Sequence, residues 1–73
     1  MTLRDAEIGM DYTVCSINTH DDDLNSFLFS LGCYSGEQVS VVAKRRSGMV
    51  ITIKDARYSI DKNLAAAIEI TQN

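Results

Sequence analysis

Thr19-His20-Asp21-Asp22-Asp23-Leu24-Asn25-Ser26-Phe27-Leu28-Phe29-Ser30-Leu31-Gly32 carries the strongest periodic signal in the chain. Leu24, Phe27, Leu28 and Leu31 fall at i, i+3, i+4 and i+7, which places them along one face of an amphipathic helix. Thr19 and Asp22 have capping-box spacing, and Asp21, Asp22 and Asp23 put negative charge where the helix dipole is positive. Gly32 follows the last apolar residue and tolerates the left-handed conformation that ends helices. Start, stripe and stop agree on a helix whose Leu24/Phe27/Leu28/Leu31 face packs inward.

On both sides of this helix the period falls to two. Asp11 to Ile17 is rich in β-branched and aromatic residues and reads as a first strand. Val39, Val41 and Ala43 alternate with Ser40, Val42 and Lys44. Met49, Ile51 and Ile53 alternate with Val50, Thr52 and Lys54, and Ser47-Gly48 supplies the turn between the two runs. A second turn at Lys54-Asp55 leads into a strand over Ala56 to Ile60. Asp61 caps one helical turn through Leu64 to Ala67, and Ile68-Glu69-Ile70 is a short last strand. At the other end, Thr2 and Asp5 have the spacing of a capped turn that stops before Gly9. Five short strands are too few for a sandwich of two sheets. They bury their apolar faces best by curling into a mostly β, SH3-like small barrel, with the amphipathic helix between strands one and two.

The chain has 73 residues, enough for a single domain over 1–73 and too few for a cleft between two. Hydrophobic residues at 45% and charged residues at 23% describe a folded chain rather than a disordered one, and no apolar run is long enough to span a bilayer. Ten acidic against seven basic residues leave a formal charge of -3, which opposes nucleic-acid binding by phosphate neutralisation. The start Met1-Thr2-Leu3-Arg4-Asp5 has no secretory pattern, so a cytoplasmic location is expected. Cys15 and Cys33 lack C-x-x-C spacing and read as reduced thiols. One histidine, no nucleophile motif and no phosphate-cradling loop argue against an enzyme.

Leu28-Phe29-Ser30-Leu31-Gly32-Cys33-Tyr34-Ser35-Gly36 resembles the L-x-x-[LM]-G-[LI]-x-P-G core of the ferrous iron transport protein A (FeoA) family. Asp11-Tyr12-Thr13-Val14 after Gly9 is similar to that family's first strand. Met49 to Ile53, with Arg57, Ile60, Ala67, Ile68 and Ile70, is similar to its C-terminal half. The chain departs at Ser35, where proline is usual, and at Cys33, where a larger aliphatic is usual. Phe27 stands where arginine is common, and Asp61 where the family often has arginine. The resemblance implies an SH3-like accessory of the FeoB ferrous iron transporter, a membrane protein with a cytosolic G domain. It also implies kinship with the C-terminal domain of iron-dependent repressors. Two functions stay open: a protein-interaction module on the cytosolic region of the transporter, or a metal-responsive domain that binds a transition metal ion itself.

Three groups of residues are candidates for chemistry. His20, Asp21, Asp22 and Asp23 offer imidazole and carboxylate ligands suited to ferrous iron. Consecutive residues at a helix start diverge, so at most two share an ion, and capping already accounts for the aspartates. No tight metal site and no required cofactor are therefore expected. Lys44, Arg45 and Arg46 sit at a hairpin tip, where they either keep the tip solvated or contact an acidic surface or nucleotide phosphates of a G domain. Phe29 lies roughly 150° from the centre of the helix stripe at 100° per residue. It is either covered, by the N-terminal turn or the Cys33-Tyr34 loop, or exposed beside Tyr34 as part of a docking face.

Overall fold

The computed structural model describes residues 1–73. A 3-10 turn, η1 (Leu3–Asp5), precedes β1 (Asp11–Ile17), α1 (Asp22–Leu31), β2 (Gln38–Lys44), β3 (Gly48–Ile53), β4 (Ala56–Asp61), α2 (Lys62–Ala66) and β5 (Ile68–Gln72). The strands form one antiparallel sheet in the order β4-β3-β2-β1-β5. Its two outermost strands are consecutive in the chain apart from the five residues of α2 and its C-cap Ala67. The sheet therefore has to curl until its ends approach each other, and this gives the small barrel expected from the periodicities. Two bulges supply the bend. Cys15 is the extra residue of β1 against β5, and Val42 that of β2 against β3. No helix is long and apolar enough to cross a membrane.

Alternate strand residues meet inside. Tyr12 and Val14 of β1, Val39 and Val41 of β2, Met49, Ile51 and Ile53 of β3, Ile60 of β4, and Ile68 and Ile70 of β5 are all buried. Leu3 and Ala6 close one end of this core and Ala65 of α2 joins it. The N-terminal turn forms as its spacing predicts: the Thr2 backbone N–H donates to Asp5 Oδ2 at 3.0 Å and the Asp5 N–H to the Thr2 carbonyl at 2.9 Å. The Thr2 N–H donated to its carboxylate, above all, lowers the Asp5 carboxyl below its ordinary pKa.

Both cysteines are free, Cys15 exposed and Cys33 buried. Burial pushes the Cys33 thiol up to about 11, so it behaves as a small hydrophobe.

Four expectations need correction. Helix α1 starts two residues later than a Thr19 cap would set it, because His20 stands at φ 59 and breaks the helical path, while Asp21 is the working N-cap. The Asp21 carboxylate accepts from Asp23 N–H at 2.9 Å and Leu24 N–H at 3.2 Å. Secondly, the stripe is mostly not core. Leu28 is buried, but Leu24 is 39% and Phe27 49% exposed, because α1 meets the barrel through its C-terminal half rather than lying along it. Thirdly, Gly48 opens β3 instead of turning the chain; the loop is Arg45-Arg46-Ser47, with Lys44 still in β2. Lastly, α2 begins at Lys62, directly after the Asp61 cap, whose Oδ1 accepts from Leu64 N–H at 2.7 Å.

Gly48 is needed for space. A Cβ on it would lie 2.2 Å from the Ile60 carbonyl oxygen across the β3–β4 pair, well inside contact distance. Gly48→Ala should therefore cost about 1–3 kcal/mol of stability, as overpacking against a rigid neighbour does. Chemical denaturation checks this: the midpoint should fall while far-UV circular dichroism in buffer stays native.

Candidate functional site

The end of α1 is where most of the unusual surface gathers. Gly32 takes φ 93, and its N–H donates to the Leu28 and Phe29 carbonyls, while Cys33 N–H donates to Leu28 O at 2.9 Å. This cap swings the chain back so that Tyr34 returns along the outer side of the helix. The Phe29 and Tyr34 rings meet with centroids 5.1 Å apart and planes tilted by 38°. The contact is one-sided: Phe29 remains 67% exposed, so the Cys33-Tyr34 loop touches it without covering it.

A lysine from a turn distant in sequence completes the group. Lys54 lies in the two-residue turn between β3 and β4, with φ 51, followed by Asp55 at φ 66. Its Nζ donates to the Tyr34 hydroxyl at 2.9 Å and lies 3.5 Å from Glu37 Oε1. The same nitrogen is 5.3 Å from the Tyr34 ring centroid, so it sits at the hydroxyl end of the ring, and the hydrogen bond outranks any cation–π attraction. The Tyr34 hydroxyl, then the Glu37 carboxylate, hold the Lys54 amine above the usual lysine range. Its stem passes Gly32 so closely that a Cβ there would be 3.0 Å from Lys54 Cε. No basic residue occupies the last turn of α1, and Lys54 brings the cation that this helix end lacks. Neither Lys54 nor Glu37 stood out in the sequence, where Lys54-Asp55 signalled only a turn. Their role depends on a contact between chain segments 20 residues apart.

The five residues singled out for partner contact do not form one surface. Phe29 and Tyr34 touch, whereas Arg45 and Arg46 project from the β2–β3 loop at the far end of β3 from Lys54. The six residues of β3 separate the two places by roughly 17–20 Å of strand. Lys44 Nζ donates to the Arg4 carbonyl at 3.4 Å, and Arg45 and Arg46 are exposed with no ion-pair partner. His20, Asp21, Asp22 and Asp23 are also exposed, at the opposite end of α1 from Phe29. Asp21 is committed to its two backbone donors, and no group of three or more His, Cys, Asp or Glu side chains converges anywhere on the molecule.

The molecule has two shallow grooves, one of them beside α1. One, of about 300 Å³, runs between Leu24 at the helix start and Asp61, Asn63 and Leu64 at the start of α2. The other, of about 270 Å³, is polar and lies along Gln38 to Ser40 beside Lys54 and Asp55. In the polar groove the Ser40 and Thr52 hydroxyls make no hydrogen bond to its acidic residues or to Lys54.

The FeoA domain family model matches residues 1–72. No curated protein matches the chain. Among solved structures, the chain is similar to the crystal structure of an iron uptake regulatory protein (FeoA), with a TM-score of 0.85 at 22% identity over 99% of this chain and 95% of that one. It is similar to Stenotrophomonas maltophilia FeoA complexed with zinc, described as a prokaryotic SH3-domain protein and candidate activating factor of bacterial ferrous iron transport. There the TM-score is 0.85 at 22% identity over 97% of this chain and 89% of that one. A manganese-dependent transcriptional repressor shares the fold with a TM-score of 0.90 at 21% identity, over 100% of this chain but 41% of that one.

Adjacent residues on α1 should respond oppositely to truncation. Leu28→Ala removes a buried side chain and should cost about 2–5 kcal/mol. Phe29→Ala should stay within about 0.5 kcal/mol of the parent, as exposed positions do. Paired urea denaturation curves read both.

Proposed function

Since this chain belongs to the FeoA domain family, we propose that it is a small, non-catalytic, cytoplasmic accessory of ferrous iron uptake that docks on the cytosolic region of a GTPase-containing transporter of the FeoB type. The observation that carries the reading is the apolar surface that α1 leaves uncovered on both sides of its line of contact with the barrel. A helix of ten residues gives the core one fully buried side chain and leaves Leu24, Phe27 and Phe29 in solvent. Exposed large apolar groups in one element mark interaction surfaces better than scattered ones do. The Phe29–Tyr34 pair adds a pre-positioned aromatic anchor, tied down by Lys54 and Glu37, so little order has to be gained on binding. Arg45 and Arg46 provide a separate basic contact for a second part of the same partner.

A metal-responsive domain is the competing reading, and the repressor of the same fold gives it its motive. It requires three or more converging ligands. The exposed Leu24, Phe27 and Phe29 on α1 favour docking over sensing, since metal ligation has no use for solvent-facing apolar side chains.

Calorimetric titration with the purified cytosolic region of a FeoB-type transporter tests the reading. Phe29→Ala should weaken binding by about 1–3 kcal/mol. Equal affinity for the parent chain and the Phe29→Ala variant would remove α1 from the interface. One-to-one ferrous iron binding by the domain alone, lost in His20→Ala, would favour the sensor instead.

A further inference from the structure

Four of the five strands have both sides occupied, and the exception is β4. The outer side of β5 is covered by the chain start: Ile70 N–H donates to the Met1 carbonyl at 2.9 Å and Thr2 bridges to Glu69. Where β1 leaves β2, Ile8 bridges to Val41 and Gly9 N–H donates to the Val41 carbonyl at 3.1 Å. Strand β4 pairs with β3 alone. Its free side can be read from the ladder. The Gly48 carbonyl accepts from Arg45 N–H at 2.7 Å, so the polar groups of Gly48 face β2. The Gly48↔Asp61 pair is then a non-bonded one, and the backbone N–H and C=O of Ser59 and Arg57 and the N–H of Asp61 point away from the sheet, while the Asp61 C=O, as the N-cap carbonyl, serves the first turn of α2.

We propose that this edge is a self-association surface, on which two copies pair their β4 strands antiparallel about a twofold axis through Ser59. Strand β4 reads Arg57-Tyr58-Ser59-Ile60-Asp61, which is self-complementary about its centre. In that register Arg57 lies opposite Asp61 of the second copy, twice, and each Ser59 exchanges backbone hydrogen bonds with its equivalent. Tyr58 lies opposite Ile60 on the barrel side, an aromatic against a β-branched residue. Arg57 has no ion-pair partner within one copy. Asp61 uses Oδ1 to cap α2 and keeps Oδ2 for an arginine. Sliding the pair by two residues in one direction sets Asp61 against Asp55, and in the other it runs Arg57 into α2, so charge and shape select the one register. An edge of six residues buries less than the roughly 1,000 Å² of a stable interface, so the dimer is weak and appears at millimolar protein.

Sedimentation equilibrium of the full chain up to millimolar concentration tests the proposal. The parent chain should show a monomer–dimer equilibrium. Arg57→Asp and Asp61→Arg each place like charges opposite one another, and each alone should weaken association roughly tenfold or more. Mixed one to one they restore both opposite-charge pairs, so the mixture should recover the dimer. Ser59→Pro removes the outward N–H at the axis while leaving the β3 ladder intact, so it should abolish the dimer in a chain that circular dichroism shows folded. It also decides the question if Asp61→Arg, which loses a helix cap, fails to fold. A parent chain that stays monomeric at millimolar concentration overturns the proposal. So does a folded Arg57→Asp or Ser59→Pro variant that associates like the parent.

Discussion

The barrel is organised around one large side chain whose polar tip has to be satisfied before the rest can close. Tyr12 is the largest fully buried residue, and it stands near the start of β1, facing Val39 of β2 on one side and Gln72 of β5 on the other. Burying a phenol without a partner costs more than its ring gains in many settings. Here the hydroxyl accepts from the Glu7 backbone N–H at 2.8 Å. That bond fixes the segment between η1 and β1, which in turn carries Leu3 and Ala6 into the core and Ile8 to the edge of β2. No buried side-chain nitrogen or oxygen is left without a partner, so the interior holds together on apolar burial with no opposing polar debt.

Much of this was legible beforehand, for a physical reason. Strand alternation is a property of the sheet itself, so Met49, Ile51 and Ile53 announce their inward face wherever the sheet sits. Glycines and aspartates at element ends work through local backbone chemistry, which is why Gly32, Asp61 and the Lys54-Asp55 turn fall where the residues put them. Helical periodicity is weaker information. It tells which residues share a face but not whether anything lies against it, and Leu24 and Phe27 share a face with Leu28 without sharing its burial.

The candidate site was half legible for the same reason. Phe29 and Tyr34 could be placed near each other because a single capping glycine separates their segments. Lys54 could not, because its reach to Tyr34 depends on how the β3–β4 turn is carried round to the end of α1. Gly48 was legible as a glycine and misread as a turn, since a turn and a close strand approach both require the same missing side chain.

The shallow seating of α1 also bears on how such a protein changes over generations. Most surfaces that recognise a partner double as part of the scaffold, so a residue altered to suit a new partner risks unfolding the protein. Here the ten-residue helix is anchored through Leu28 and its glycine cap, while the residues it displays contribute little to holding the barrel together. With α1 as the docking surface proposed above, selection on recognition and selection on folding act on largely separate positions. The display can drift to follow a diverging partner while the barrel beneath it stays the same.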